Sequence, residues 1–259
     1  MRRTVVRHAR DCRAIIRKDH GLRYLRLSII LLAGCMSAGL CQSPPQGQAR
    51  PTPPAPLKPG KDRWLVKTAS DAGANGVKRR PEKTSIEKLR TLPRPADYPL
   101  NSTPAKYQTE RAGLAESSIY SVEADIVECR LMPDGDYHVV MRGASGETMV
   151  LEMPDPDPAF TSPSSPFAYA IRAAREQFES KVKPERAAKP LNLHARITGI
   201  GFFGRQYGKT PAKGNLLQLH PAVDFEWQDE PSAEFSADRA VALKAKDPRT
   251  NPPASAPGK

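Results

Sequence analysis

The sequence predicts a mainly β domain carrying one helix, and three observations predict it. Five segments after Ser118 alternate apolar and polar side chains with the period of two that turns one face of a strand toward a core. One amphipathic helix, ending near Val182, falls between the third and fourth of them. The flanks cannot pack continuously: the 259-residue chain holds 27 Pro and 17 Gly, with a mean hydropathy of −0.55.

The elements follow in order. Tyr120, Val122, Ala124 and Ile126 alternate with Ser121, Glu123 and Asp125, after which Val127, Cys129 and Leu131 take the opposite phase. That slip predicts a β-bulge or sharp bend between Ile126 and Val127. Met132-Pro133-Asp134-Gly135-Asp136 predicts a turn, with Gly135 tolerating positive φ. Residues 137–142 form the return strand, residues 144–147 a second turn, and residues 148–153 a third strand. Ser165 is the expected N-cap of the helix and Pro166 its first residue, with Phe167, Ile171, Ala174, Phe178 and Val182 on one face. Leu191, Leu193, Ala195 and Ile197 mark the fourth strand, and Leu217, Leu219, Val223 and Phe225 the fifth. A Gly-rich loop is expected at residues 199–214 between them.

The order β-β-β-α-β-β with a bent first strand is that of an OB-fold-like five-stranded barrel, preceded by an irregular extension and flanked by disordered tails. The expected organisation is a signal peptide at 1–34, a Pro-rich disordered linker at 35–60, the irregular extension at 61–115, the OB-fold-like domain at 116–228 and a disordered tail at 229–259. Within the extension, residues 63–67 suggest a short strand. Thr84 and Glu87 fit a capping box before a short helix, and Lys78-Arg79-Arg80 a solvated loop. Residues 234–246 could form a transient helix within the tail.

The N-terminus gives an address. Residues 1–26 carry nine basic side chains, and residues 27–41 run without a charge, too short for the roughly 20 residues of a spanning helix but suited to a signal peptide. Leu32-Ala33-Gly34-Cys35 looks like the lipobox of bacterial lipoproteins, which implies cleavage before Cys35 and lipidation of its thiol. The expected location is the bacterial cell envelope, as an exported lipoprotein anchored through its N-terminal lipid and facing the periplasm or exterior. Cys129 reads as a small buried hydrophobe, and the cysteine spacings exclude a zinc motif and a disulfide framework.

Several stretches together resemble an uncharacterised family of exported bacterial proteins: Val66-Lys67-Thr68, Asp134-Gly135-Asp136-Tyr137-His138, Ser164-Ser165-Pro166-Phe167, Gly199-Ile200-Gly201-Phe202-Phe203 and Leu219-His220-Pro221. The family pattern carries an Asp after the paired Phe and a His-Gly pair in the next loop. Here those positions are Gly204 and Tyr207-Gly208, so no catalytic His is carried into that loop, and the resemblance implies no established activity.

The net charge is +12, yet residues 116–228 hold 12 basic and 15 acidic side chains. The acidic domain argues against nucleic acid. Gly199-Ile200-Gly201 opens no helix and is no dinucleotide fingerprint; Phe202-Phe203 reads as a core plug. Asp134, Asp136 and His138, with Glu152, are the candidates for a divalent-metal site, the competing reading being turn formers and a wall residue. His138, His194, Arg196 and His220 are candidates for a ligand face. His220 and Asp224 are about 13 Å apart by strand rise and form no dyad.

The expected function is a monomeric, non-catalytic module with no cofactor that binds a ligand or partner in the envelope. The alternatives are a metal-dependent phosphodiesterase or nuclease of thermonuclease-like type using Asp134, Asp136, His138 and Glu152, and a polyanion-binding envelope protein using residues 61–115.

Overall fold

The computed structural model describes residues 55–206 and 214–246. The expected signal peptide, Cys35, Cys41, most of the expected linker, Tyr207-Gly208 and the end of the tail lie outside the described residues. Six strands form one sheet: β1 (Lys78–Lys83), β2 (Ser118–Leu131), β3 (Tyr137–Arg142), β4 (Thr148–Met153), β5 (Lys189–Phe203) and β6 (Leu217–Gln228). The helices are α1 (Trp64–Lys67), α2 (Ile86–Leu89), α3 (Ala168–Glu179) and α4 (Ala233–Lys246). Among the described residues no helix is long and apolar enough to cross a membrane.

The sheet order is β1-β2-β3-β4-β6-β5, and β5 also pairs with β2, so the pairings from β2 through β3, β4, β6 and β5 return to β2. The β1–β2 and β4–β6 pairs are parallel and the others antiparallel. The bulge lies where the phase slip put it: the register of β2 against both β3 and β5 shifts between Ile126 and Glu128. This bend lets one strand serve two neighbours. Strands β3 and β4 have the predicted bounds, joined through Gly146 at φ 90°.

Alternate side chains from strands β2 to β6 fill the core, among them Val122, Ala124, Ile126, Val139, Met141, Leu151, Ile197, Leu219 and Phe225. The predicted stripe of helix α3 is all buried: Ala174, Phe178 and, beyond its end, Val182 close this core, while Phe167 and Ile171 pack into a second cluster. The Phe178 ring meets Phe225 edge-on at 5.3 Å. Cys129 is fully buried, as its apolar phase required, and burial pushes its thiol up.

Several expectations are corrected. Residues 63–67 are not a strand: Arg63, at φ 55°, turns the chain into α1. Lys78-Arg79-Arg80 is not a loop but the start of β1, whose side chains are all exposed and which is held by backbone pairing to β2. No burial pattern announced it, and Pro81 suits its place at an edge. The capping box does not form. Ser85 rather than Thr84 caps α2, its Oγ accepting from Lys88 N, while Glu87 Oε1 accepts from Ser145 Oγ at 2.7 Å. Helix α3 starts at Ala168 with Phe167 at its N-cap, and in the turn before it the Ser165 hydroxyl donates to Ala69 O at 2.7 Å and accepts from Phe167 N at 3.3 Å.

The stretch 199–203 is strand rather than loop. A Cβ at Gly201 would lie 2.2 Å from Ala115 O, and one at Gly199 2.8 Å from Leu219 Cβ, so these glycines admit a close approach of chains. Phe202 and Phe203 are core plugs, 3% and 0% exposed.

The extension is not merely irregular. Ala69, Ala74 and Val77 join Ile119, Ile200, Phe167 and Ile171 in a second apolar cluster on the outer face of the sheet. Arg63 anchors this cover by a bidentate pair with Glu116, at 2.7 and 2.6 Å, and both side chains are almost wholly buried. Linker residue Lys58 donates its N–H to Pro133 O at 3.2 Å, so the described end of the linker is docked. Within the expected disordered tail, Ala233–Lys246 is a helix, held at its start by Phe235.

Candidate functional site

The site is built around the β2–β3 turn. Gly135, at φ 87°, is required there, and a Cβ would meet Asp155 Cβ at 3.1 Å and the Phe160 ring at 3.2 Å. The turn drives Asp136 inward to 2% exposure. Arg175 of α3 fixes this arrangement, donating to Gly135 O at 2.9 Å and Met153 O at 3.0 Å, with its guanidinium 3.5 Å from the centre of the Tyr137 ring.

Strands β3 and β4 place His138 directly opposite Glu152, and His138 Nδ1 lies 2.7 Å from Glu152 Oε1. Strand β6 contributes His220, 1% exposed, whose ring stands 5.2 Å from that of Phe202. Helix α1 brings Lys67, close enough for its charge to act on both Asp136 and His220. Left-handed residues bracket this short helix, Arg63 at φ 55° and Ala69 at φ 50°. Such strain persists only where its surroundings over-determine it, and here Glu116 holds one side and Ser165 the other.

Burial governs the electrostatics. It pushes the Asp136 carboxyl up to about 7, with the Asp134 charge adding to the effect. It pushes the His220 imidazole down to about 3, with Lys67 reinforcing it. His220 Nε2 and Asp136 Oδ2 are 3.4 Å apart, inside ion-pair distance, yet neither ring nitrogen makes a hydrogen bond. The imidazole is neutral at pH 7, so proximity does not make this an ion pair. Asp134 Oδ1, Asp136 Oδ1 and Glu152 Oε2 are also buried without a hydrogen-bond partner. Mutual charge effects tie these groups together: Asp134 acts on Asp136, and Glu152 and Asp134 act on His220.

The four sequence candidates for a metal site therefore share one region, but they do not surround one point. Among the described residues no three His, Cys, Asp or Glu side chains form a group that could hold a metal ion. The four ligand-face candidates divide. His138 and His220 belong to this region, whereas His194 lies between Glu123 and Asp125, and Arg196 pairs with Glu226 at 3.0 Å.

Sequence reasoning missed Lys67 and Arg175. Arg175 had a signal, since it follows Ile171 by four residues and so falls on the apolar stripe of α3, where a charge demands a buried partner. Lys67 had none. A scan against protein-family models finds no match to this chain, and a search of curated proteins finds no significant similarity.

Proposed function

We propose that this protein is an exported, lipid-anchored, non-catalytic binding module of the bacterial envelope, built on an OB-fold-like five-stranded barrel. Support for the barrel comes from the circuit of pairings through β2, β3, β4, β6 and β5 and from the place of α3 between β4 and β5. Support for export and anchoring comes from the basic N-terminus, the uncharged run after it and Leu32-Ala33-Gly34-Cys35.

The observation that carries ligand binding is the pair Asp136 and His220, buried with unpartnered polar atoms beside Asp134 and Glu152. A buried polar group left without a partner costs about 1–3 kcal/mol. A fold that gathers several gains stability from whatever hydrogen-bonds them. The groups are mixed: a neutral imidazole, a carboxyl near half protonation, further carboxyl groups and an ammonium. They suit a small polar ligand that both donates and accepts. The alternative, a metal-dependent phosphodiesterase using Asp134, Asp136, His138 and Glu152, requires ligands around one point, and the described residues offer no such group.

The test is native mass spectrometry of the mature protein purified from its own envelope fraction. The expected result is a small bound species that is lost in Asp136→Asn and His220→Gln. Equal retention by both variants, or turnover of a phosphodiester by the wild type, overturns the reading.

A further inference from the structure

Helix α4 rests on the sheet through few contacts. Phe235 is its one buried residue, and Val241 and Leu243 are 70% and 64% exposed. The Phe235 ring stands edge-on to the His194 ring at 4.8 Å. His194 Nε2 lies 2.9 Å from Glu123 Oε1, and Nδ1 lies 3.0 Å from Asp125 Oδ1. The same carboxylates hold the helix: Glu123 Oε1 accepts from Ser232 N at 2.6 Å, and Asp125 Oδ2 accepts from Arg239 at 2.6 Å. Lys83 with Glu234 and Lys246 with Ser145 O add contacts at the surface.

We propose that His194 is a protonation latch that holds α4 across the sheet and so keeps in place one wall of the cavity beside it. A carboxylate only accepts hydrogen bonds, so both ring nitrogens must carry protons for both contacts to be hydrogen bonds. A neutral ring instead turns a lone pair toward one carboxylate, under the ring on which Phe235 is seated. Burial raises Glu123, but the Ser232 and His194 donors outweigh it and hold its carboxyl below the ordinary range. Burial likewise raises Asp125, and Arg239 and His194 outweigh it. Both acceptors are therefore held in the ionised, hydrogen-bond-accepting form.

The charged groups around His194 are Glu123 and Asp125 on β2, Arg142 on β3 and Arg239 on α4, with Arg196 two residues along β5 and paired to Glu226 of β6. Glu234 and Asp238 of α4 and Lys83 border the adjoining cavity. That cavity, of about 630 Å³, lies between α4, β2 and α2 and is lined by Glu123, Arg196 and Phe235 among others. Docking is strongest with both ring nitrogens protonated and weakens when either proton is lost, which releases the α4 wall of the cavity.

Hydrogen exchange of the amides at 233–246 tests the latch, corrected for the intrinsic pH dependence of exchange and with the amides of β2 as the control for the fold. In the wild type, protection of α4 falls about ten-fold between about pH 5.5 and about pH 8 while β2 is unchanged. In His194→Gln the protection of α4 no longer varies with pH. Phe235→Ala, which leaves the ring in place, abolishes protection of α4 at both pH values. Constant protection in the wild type, the same pH dependence in His194→Gln, or undiminished protection in Phe235→Ala overturns the proposal.

Discussion

His220 Nε2 lies 3.4 Å from Asp136 Oδ2, with the two side chains only 1% and 2% exposed. Burial acts on the pair in opposite senses, raising the carboxyl to about 7 and lowering the imidazole to about 3. Their charges are thus suppressed together between about pH 3 and about pH 7, which is how the fold tolerates both groups in a buried place.

Opposed titrations follow. The folded value for Asp136 lies above its ordinary 3.8, so its contribution to stability is complete below about pH 4 and is lost as pH rises to about 7. The folded value for His220 lies below its ordinary 6.5, so its contribution is complete above about pH 6.5 and is lost as pH falls toward 3. Across the shared window the slopes oppose, each up to about 1.4 kcal/mol per pH unit. Urea unfolding of His220→Gln should lose stability with rising pH more steeply than the wild type. Asp136→Asn should lose it more steeply with falling pH. Identical pH profiles for the two variants would contradict the opposed shifts.

The Arg63–Glu116 pair anchors the extension, and Glu116 Oε1 also accepts from Phe203 N at 2.7 Å. Burial works against the Arg63 charge, yet the carboxylate of Glu116 outweighs it and raises the guanidinium above its ordinary value. Glu116→Leu leaves that cation buried without its counter-ion and should cost about 3–5 kcal/mol. Adding Arg63→Met should recover part of the loss, because no uncompensated charge then remains. A double variant less stable than Glu116→Leu in urea would contradict this account.

The parts of the fold legible in the sequence were those with one buried face. In β2, β3 and β4, period-two alternation wrote that face directly, and the bulge showed as a slip of phase at Val127. Strand β1 carried no such signal, because all six side chains are exposed and its pairing to β2 is backbone to backbone. The end of β5 failed for the opposite reason: Gly199–Phe203 is buried on both faces, so it has no alternation. At the site, Asp136 and His138 were visible as turn and strand residues. The partnership of Asp136 with His220 joins strands 84 residues apart through the closing pairings, beyond any local pattern.

Glycine positions test the close approach of chains. Gly201→Ala would set a methyl 2.2 Å from the Ala115 carbonyl oxygen, whereas Gly76→Ala meets nothing within 4 Å. Gly201→Ala should cost about 1–3 kcal/mol or more, and Gly76→Ala less than about 0.5 kcal/mol. Comparable unfolding midpoints for the two variants would show that β5 is not held against residue 115 in this way.

Anchoring separates the cysteines of the N-terminal region. Only Cys35 follows the Leu32-Ala33-Gly34 pattern, so Cys35→Ser should move the protein from the membrane to the soluble fraction and Cys41→Ser should not. Membrane fractionation decides it, and unchanged association of the Cys35 variant removes the lipid anchor from the proposed function.

Divalent ions discriminate between binding module and metalloenzyme. A metal site stabilises the native state by mass action, by roughly 2.7 kcal/mol at 100 times its dissociation constant, which corresponds to several degrees in Tm. Here His138 already directs Nδ1 at Glu152 Oε1, and Asp136, with its carboxyl at about 7, must release a proton before it can bind a cation well. Calcium, magnesium, manganese and zinc should therefore each shift Tm by no more than about one degree at neutral pH. A shift of several degrees that disappears in the Asp136→Ala, His138→Ala double variant would establish a metal centre, and the phosphodiesterase reading would then replace the non-catalytic one.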